Sequence, residues 1–184
     1  SVSGVTTLAG DVHFGAGNSL VFFGGGNTVI SGRINNHAYS QARIIKAGMI
    51  YGTTLWLQND QNSFTSGVRI DNGTVRVATA GALGLNTGRL AIDINNGTLE
   101  VRGDVLNSFA QKDVFVRDNT NGRIFVDHGL TSAAVGGVFQ FGDLNANRTN
   151  TGIALNSRNG FGASFTGLNN LIGGGGAQEA RIGN

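Results

Sequence analysis

The stretch VRIDNGTVRV at positions 68–77 recurs further along the chain as IDINNGTLEV at positions 92–101, and this repeat decides the fold. The spacing between the two copies is called one period below. When the two Asn-Gly-Thr triplets are superposed, apolar residues coincide at every second position on both sides of the triplet. Such alternation is typical of β-strands with one buried and one solvated face. The predicted inward pairs are Val68 with Ile92, Ile70 with Ile94, Val75 with Leu99, and Val77 with Val101.

The outward positions of the same repeat carry complementary polar residues. They pair Arg69 with Asp93, Asp71 with Asn95, and Arg76 with Glu100. Equivalent residues on stacked parallel strands lie about 4.8 Å apart, so the two charged pairs would attract across neighbouring strands. The pattern favours stacking of the two copies over pairing in an unrelated hairpin.

An earlier copy, GTTLWL at positions 52–57, lies slightly less than one period upstream and contains one extra Thr. It predicts that Leu55 and Leu57 point inward and that Trp56 points outward. Turn residues separate the other strand candidates, and helical periodicity persists nowhere for the roughly 11 residues that a helix would need. The other strand candidates are residues 20–23, 28–30, 42–45, 114–116, 123–126 and 138–141.

An all-β chain of this kind is either a sandwich or a solenoid. A sandwich does not require similar side chains to return at a fixed period, whereas a solenoid does. We therefore expect a parallel β-helix (β-solenoid) with loop excursions, in which residues 1–184 form a single segment and residues 52–103 show the clearest repeat. One excursion is expected over Val105 to Asn121, where the next strand should arrive later than one period allows.

The composition fits frequent turns, with 31 Gly, no Pro and no Cys. Gly and Asn accept positive φ, and the absence of Pro leaves backbone donors free for a ladder. Without Cys, and with three His far apart, the sequence indicates no disulfide, metal site or cofactor. The sequence contains no basic tract that would indicate nucleic-acid binding. It also contains no apolar run that approaches the roughly 20 residues needed to span a bilayer. The chain begins without Met, so we expect a fragment of a larger protein.

The order of elements across residues 52–103 resembles the passenger-associated transport repeat of autotransporters. The resemblance rests on GTTLWL at 52–57, NSFTSG at 62–67, VRID at 68–71, NGTVRV at 72–77 and GALG at 81–84. Trp56 and the extra Thr depart from the family pattern. The resemblance implies a right-handed β-helix from a monomeric, adhesin-like type V passenger, exported through an outer-membrane translocator barrel that this segment does not contain. It implies a location at the bacterial cell surface or outside the cell, and it carries over no catalytic site.

Two candidate ligand-binding features stand out. The triplet Arg102-Gly103-Asp104 would suit integrin binding on an exposed turn. About 0.09 such triplets are expected by chance from the composition, and an ordinary turn without a ligand is its competing interpretation. Trp56, with Tyr51 nearby, is a candidate aromatic contact, and packing under a loop is its competing interpretation.

The carboxylates do not show the paired spacing of a glycosidase or the calcium-binding group of a lyase. Asp93 and Glu100 are interpreted as outward ion-pair partners of Arg69 and Arg76, each pair contributing less than about 1 kcal/mol. The best remaining group is interpreted as solvated loop residues, and it consists of Asp113, Asp118 and Asp127 near His128.

The leading hypothesis is a non-enzymatic adhesin scaffold whose partner is a host cell-surface or extracellular-matrix protein, for example fibronectin or an integrin. A carbohydrate-active β-helix and a passive spacer of the passenger stalk remain the alternatives. The exposed ends of a solenoid also predict end-to-end self-association unless loops cover them.

Overall fold

The computed structural model describes residues 4–15, 19–35, 43–48, 52–86, 91–103, 109–117, 120–146, 152–169 and 179–183. These residues form short β-strands and one 3-10 helix, Ala80–Leu83, which lies in the GALG segment. The strands are β1 (Val5–Leu8), β2 (Val12–His13), β3 (Leu20–Phe22), β4 (Asn27–Ile30), β5 (Ile34–Asn35), β6 (Ile44–Lys46), β7 (Thr54–Leu57), β8 (Val68–Ile70), β9 (Thr74–Val77), β10 (Ile92–Ile94), β11 (Thr98–Arg102), β12 (Val114–Val116), β13 (Asn121–Asp127), β14 (Gly137–Ala146), β15 (Gly152–Ser157), β16 (Phe161–Asn169) and β17 (Glu179–Gly183).

The strands stack into a parallel β-solenoid of about six coils, where a coil is one turn of the chain around the core. One sheet has eight strands in the order β1-β4-β7-β9-β11-β13-β15-β17, and the facing sheet has seven in the order β16-β14-β12-β10-β8-β6-β3. Strands β2 and β5 form a small third sheet. The all-β solenoid predicted from the repeat is confirmed, and each further strand candidate overlaps a strand of the structure.

The register of the repeat is also confirmed. Ile92 pairs with Val68 and Ile94 with Ile70 in the seven-stranded sheet. In the eight-stranded sheet, Leu99 pairs with Val75 and Val101 with Val77. The extra Thr upstream does not disturb the stack, since Leu55 pairs with Val75 and Trp56 with Arg76.

The core is a column of stacked aliphatic and aromatic side chains between the two sheets. Leu55, Val75, Leu99 and Ile124 are successive inward residues of the eight-stranded sheet, and each is fully buried. Towards the C-terminal end the column becomes aromatic, and the Phe139 ring stacks 5.9 Å from that of Phe161. This continuous burial of apolar area is the main source of stability in a chain without disulfides.

The predicted excursion over Val105 to Asn121 is wrong for the part that the structure describes. Ile92 pairs with Val114 and Thr98 with Arg123, so each of the next strands arrives after about one period of the repeat. The physical reason is Phe109, which is fully buried and bridges to Phe141, anchoring the connection to the core. Residues 104–108 and 118–119 lie outside the described part.

Candidate binding surface

The outer face of the eight-stranded sheet carries a row of large side chains at equivalent positions on successive coils. Trp56, Arg76, Glu100, Phe125 and Asn156 pair in register on β7, β9, β11, β13 and β15. They point outward because their strand neighbours, such as Leu55 and Leu57, fill the core. The outward orientation predicted for Trp56 is confirmed.

The acidic groups of this face are saturated by arginines. Arg76 Nε donates to Glu100 Oε2 at 2.8 Å, and Arg102 Nε donates to Glu100 Oε1 at 2.5 Å. Arg102 also donates through Nη1 to Asp127 Oδ2 at 2.9 Å. The predicted Arg76–Glu100 pair is therefore confirmed, and Arg102 connects Glu100 of its own strand to Asp127 of the next coil.

Asp127 is a buried carboxylate with several donors. Burial by itself raises the pKa of Asp127. Two hydrogen bonds, from the Asn159 side chain and the His128 backbone, lower it, as do the charges of Arg102 and His128. These four effects outweigh burial, so the pKa lies below the ordinary 3.8. Asn159 Nδ2 lies 2.7 Å from Asp127 Oδ1, and the His128 backbone N–H lies 2.9 Å from the same oxygen. Asp127 therefore acts as an ionised brace at the end of β13.

Arginines also cover the aromatic rings of the face. The Arg76 guanidinium lies 5.7 Å from the centroid of the Trp56 ring. Two guanidinium groups lie near the Phe125 ring, that of Arg102 at 5.3 Å and that of Arg158 at 5.6 Å. These distances are in the range of cation–π attraction.

An open groove crosses β9, β11, β13 and β15 on this face, and we call it the arginine groove. Arg123 and Arg158 are its exposed cations, and neither forms an ion pair with a carboxylate of the described residues. The groove is lined by Thr74, Thr98, Glu100, Arg102, Arg123, Phe125, Asn156, Ser157 and Arg158.

The candidate residues singled out in the sequence lie only in part on this surface. The Arg102 side chain is 17% exposed because both of its carboxylate partners cover it, and Gly103 is buried. Trp56 is half-buried under Arg76. Asp104 and Tyr51 lie outside the described residues. The triplet and the aromatic contact therefore stay predictions.

Sequence reasoning missed Arg123, Phe125 and Arg158 as surface residues of one site. A signal for two of them was present, since Arg123 and Phe125 alternate with Ile124 and Val126 one period after the repeat. Arg158 follows β15 and gave no periodic signal. Only the stacking of β13 on β15 brings its guanidinium to the Phe125 ring.

The interpretation of Asp93 requires a correction. Its side chain is fully buried on the outer side of the seven-stranded sheet, where Arg43 Nη1 donates to Oδ2 at 2.9 Å. Arg117 donates to both oxygens, at 2.9 Å from Nε and 2.6 Å from Nη2. Arg69, although paired with Asp93 in register, instead donates to Asp71 Oδ1 at 2.5 Å. Asp71 lies only two residues along the chain from Arg69 and therefore on the same face, which leaves Asp93 to the two other arginines.

The remaining acidic residues do not assemble into a site among the described residues. Asp113 precedes β12 in the seven-stranded sheet, whereas Asp127 ends β13 in the eight-stranded sheet. Asp113 accepts the backbone N–H of Asp143 at 2.9 Å, and Asp118 lies outside the described part. Within the described residues, no three His, Cys, Asp or Glu side chains are grouped so that they could hold a metal ion.

Both lysines of the chain are buried. Lys46 Nζ donates to Thr53 Oγ1 at 2.8 Å, and Lys112 Nζ donates to the backbone oxygens of Gly84 and Asn86 at 2.5 and 2.8 Å. Burial lowers the pKa of both amines from the ordinary 10.5. They satisfy polar groups at the corners of the solenoid and are not available to a ligand.

Comparison with known proteins gives one partial match. The chain is 42% identical over 82 residues, 45% of its length, to a protein named Adhesin BmaC autotransporter from Brucella suis biovar 1 (strain 1330). The match spans 2% of that much longer protein. No protein-family model matches the chain, and no solved structure matches it.

Among the described residues, no helix is both long enough and apolar enough to cross a membrane. The stacked parallel coils, the internal repeat and the partial identity to an autotransporter adhesin together fit an autotransporter passenger.

Proposed function

We propose that this chain is a non-enzymatic segment of a surface-displayed or secreted adhesin passenger, which supports attachment to host cells or extracellular matrix. The observation that carries the proposal is the use of outer charges as braces between coils. Glu100 joins Arg76 and Arg102, and Asp93 joins Arg43 and Arg117. Carboxylates that are held in this way are available for neither acid–base catalysis nor metal binding.

The architecture suits a rod that displays a binding surface. Each coil adds about 4.8 Å along the axis, so a long passenger extends far from its anchor while every coil contacts only its neighbours. The corners and outer faces can then vary without disturbing the stacked core. The name of the partly matching relative, an autotransporter adhesin, supports the same function.

Two surface features are candidate contacts for a protein partner. Arg102 of the triplet would have to release Glu100 or Asp127 before it could bind an acidic partner such as an integrin site. Trp56 presents part of an indole ring beside Arg76, a combination that is frequent at protein interfaces.

The proposal is tested by measuring attachment of the purified 184-residue chain to a panel of immobilised matrix proteins, including fibronectin, and to cultured host cells. The variants are Trp56→Ala, with the exposed Phe23→Ala as its aromatic control, and Asp104→Ala, with the exposed Asp60→Ala as its acidic control. Circular dichroism and urea unfolding verify that each variant keeps the fold.

Saturable attachment of the wild-type chain is the expected result, with a loss in Trp56→Ala or Asp104→Ala that the matched control does not share. Attachment that every variant retains would remove these two residues from the adhesive surface. A folded chain that attaches to nothing on the panel would overturn the adhesin function and indicate a spacer of the stalk.

A further inference from the structure

We propose that the arginine groove binds an anionic polysaccharide, a chain of sugars that carry sulfate or carboxylate groups. The inference rests on the proposed adhesive function and names the class of ligand and the surface that receives it. Of the candidate contacts discussed above, only Arg102 lines the groove; Gly103, Asp104 and Trp56 do not belong to it.

The charge of the groove is the first argument. Three of its lining residues are arginines and one is a glutamate, and that glutamate is neutralised by Arg76 and Arg102. Arg102 is in turn neutralised by Glu100 and Asp127. Among the described residues, the exposed guanidinium groups of Arg123 and Arg158 have no carboxylate partner, and these attract a ligand with negative charge.

The spacing of these two cations is the second argument. Arg123 pairs with Ala154, and Arg158 directly follows Ser157, which pairs with Val126. They are thus about four strand residues and one coil apart, or roughly 14 Å between Cα atoms. At this spacing the two guanidinium groups can contact charged groups on successive sugars of one chain.

The neutral residues between the cations are the third argument. Thr74, Thr98 and Ser157 are among the lining residues, and the hydroxyl groups of Thr74 and Thr98, at outward positions of their strands, can exchange hydrogen bonds with sugar hydroxyls. The side-chain oxygen of Asn156 is buried in the same lining and has no hydrogen-bond donor within the described residues. Phe125, whose ring lies beside the guanidinium groups of Arg102 and Arg158, adds apolar surface to the same lining.

These features favour a polysaccharide over an acidic protein segment. A protein interface generally needs a well-packed apolar centre, and the groove is open and lined mainly by polar groups. Its floor is a parallel sheet whose coils repeat along the rod, so it offers a linear polymer the same backbone spacing over several coils.

The experiment measures equilibrium binding of the full chain to four immobilised polymers. Heparin carries sulfate and carboxylate groups, hyaluronan carries carboxylates alone, dextran is neutral, and poly-glutamate is an acidic peptide. Binding is expected to heparin or hyaluronan and not to dextran, and comparison of the two identifies sulfate or carboxylate as the recognised group. Raising the salt concentration is expected to weaken the binding, because exposed charges are screened.

The variants are Arg123→Gln and Arg158→Gln, each of which removes one exposed charge without touching the core. Arg33→Gln is the matched control, since Arg33 is likewise an exposed arginine and does not line the groove. Loss of a charge-assisted contact is expected to weaken polysaccharide binding roughly tenfold in either groove variant and less than about twofold in the control.

The proposal is overturned if the chain binds none of the charged polysaccharides, or if all three variants weaken binding equally. Equal or tighter binding to poly-glutamate would overturn it in favour of an acidic protein partner. The adhesin function fails separately: a chain that binds heparin but attaches to neither cells nor matrix would keep this inference and reject that function. A chain that attaches to cells or matrix but binds neither heparin nor hyaluronan would do the reverse.

Discussion

Arg102 and Asp127 occupy equivalent positions on neighbouring coils, and Nη1 of the first lies 2.9 Å from Oδ2 of the second. The contact crosses the interface between β11 and β13, so it resists separation of the two coils. Asp127 is nearly inaccessible, and Asn159 and His128 donate to its other oxygen. A buried carboxylate with such partners stabilises the fold only while it is ionised.

The first prediction concerns the substitution Asp127→Asn. At pH 7 it should lower the free energy of unfolding by about 1–3 kcal/mol, because a charge-assisted contact to Arg102 is lost in a buried position. The folded-state pKa of Asp127 lies below its ordinary 3.8, so the stabilisation is present above about pH 4 and is lost as the pH falls through the folded-state value. Urea unfolding of the two proteins at several pH values between 7 and about 2.5 measures the effect.

In that series the stabilities of the wild type and the variant should converge at low pH. A difference that stays constant down to the lowest pH would show that the ionisation of Asp127 is not the source of the stabilisation. Asp60→Asn, at an exposed position, serves as the control.

The second prediction compares two aspartates of the seven-stranded sheet. Asp93→Asn should cost about 3 kcal/mol, because it leaves Arg43 and Arg117 without their shared buried partner. Asp71→Asn should cost less than about 1 kcal/mol, because the Asp71 side chain is 25% exposed and its ion pair is screened by water. Chemical denaturation of both variants at pH 7 tests the contrast, and equal costs would contradict it.

The third prediction identifies which cation interacts with Asp93. A double-mutant cycle between Arg43→Gln and Asp93→Asn should give a coupling energy of about 1 kcal/mol or more. The cycle between Arg69→Gln and Asp93→Asn should give a value within roughly 0.3 kcal/mol of zero, since Arg69 donates to Asp71. A larger coupling to Arg69 would mean that the outward pair predicted from the repeat forms in solution.

The fourth prediction concerns the two buried lysines. Burial lowers their folded-state pKa below 10.5, so the unfolded chain binds more protons between the lowered value and 10.5. The free energy of unfolding of the wild type should therefore rise with pH across that window. Lys46→Met should reduce the rise, and Lys46→Met combined with Lys112→Met should reduce it further. Unfolding with guanidinium chloride at pH values from about 8 to 10.5 measures how steeply the free energy of unfolding rises with pH. Arg33→Gln is the control and should show the same rise as the wild type.

The fifth prediction concerns the glycine of the second repeat triplet. A Cβ at Gly97 would collide with the Ile70 side chain and lie 2.9 Å from its carbonyl oxygen, so Gly97→Ala should cost about 1–3 kcal/mol. Gly10→Ala is the matched control, since a Cβ there meets no atom within 4 Å. Thermal unfolding should show a lower midpoint for Gly97→Ala alone, and an unchanged midpoint would contradict the close packing of this corner.

Much of the fold could be predicted from the sequence because the signal is local. Alternation of apolar and polar residues determines which face of a strand is buried, and it requires only neighbouring residues along the chain. The repeat then determines the register, since a shift of one residue would turn Val75 and Leu99 towards water. The connection around Phe109 was not predicted because no repeat marks it, and only its burial in the core shows that it follows the coil.

The corners show where similar sequence does not ensure similar geometry. Both triplets read Asn-Gly-Thr, yet the left-handed backbone conformation is adopted by Gly73 (φ 69°) in the first and by Asn96 (φ 65°) in the second. Gly and Asn both tolerate this conformation, so the choice follows from packing against the preceding coil. A Cβ at Gly73 would lie 2.7 Å from the backbone carbonyl oxygen of Thr53, whereas one at Gly97 would collide with the Ile70 side chain.

The sequence by itself therefore determined the all-β solenoid, the inward residues of its repeat and the Arg76–Glu100 pair, because these depend on spacing along the chain. Only the tertiary structure decided that Arg43, which is distant in sequence, reaches Asp93, and that Arg123 and Arg158 meet in one groove. The reason is physical: an arginine side chain is long enough to reach several carboxylates, and the one it binds depends on which coils lie above and below it.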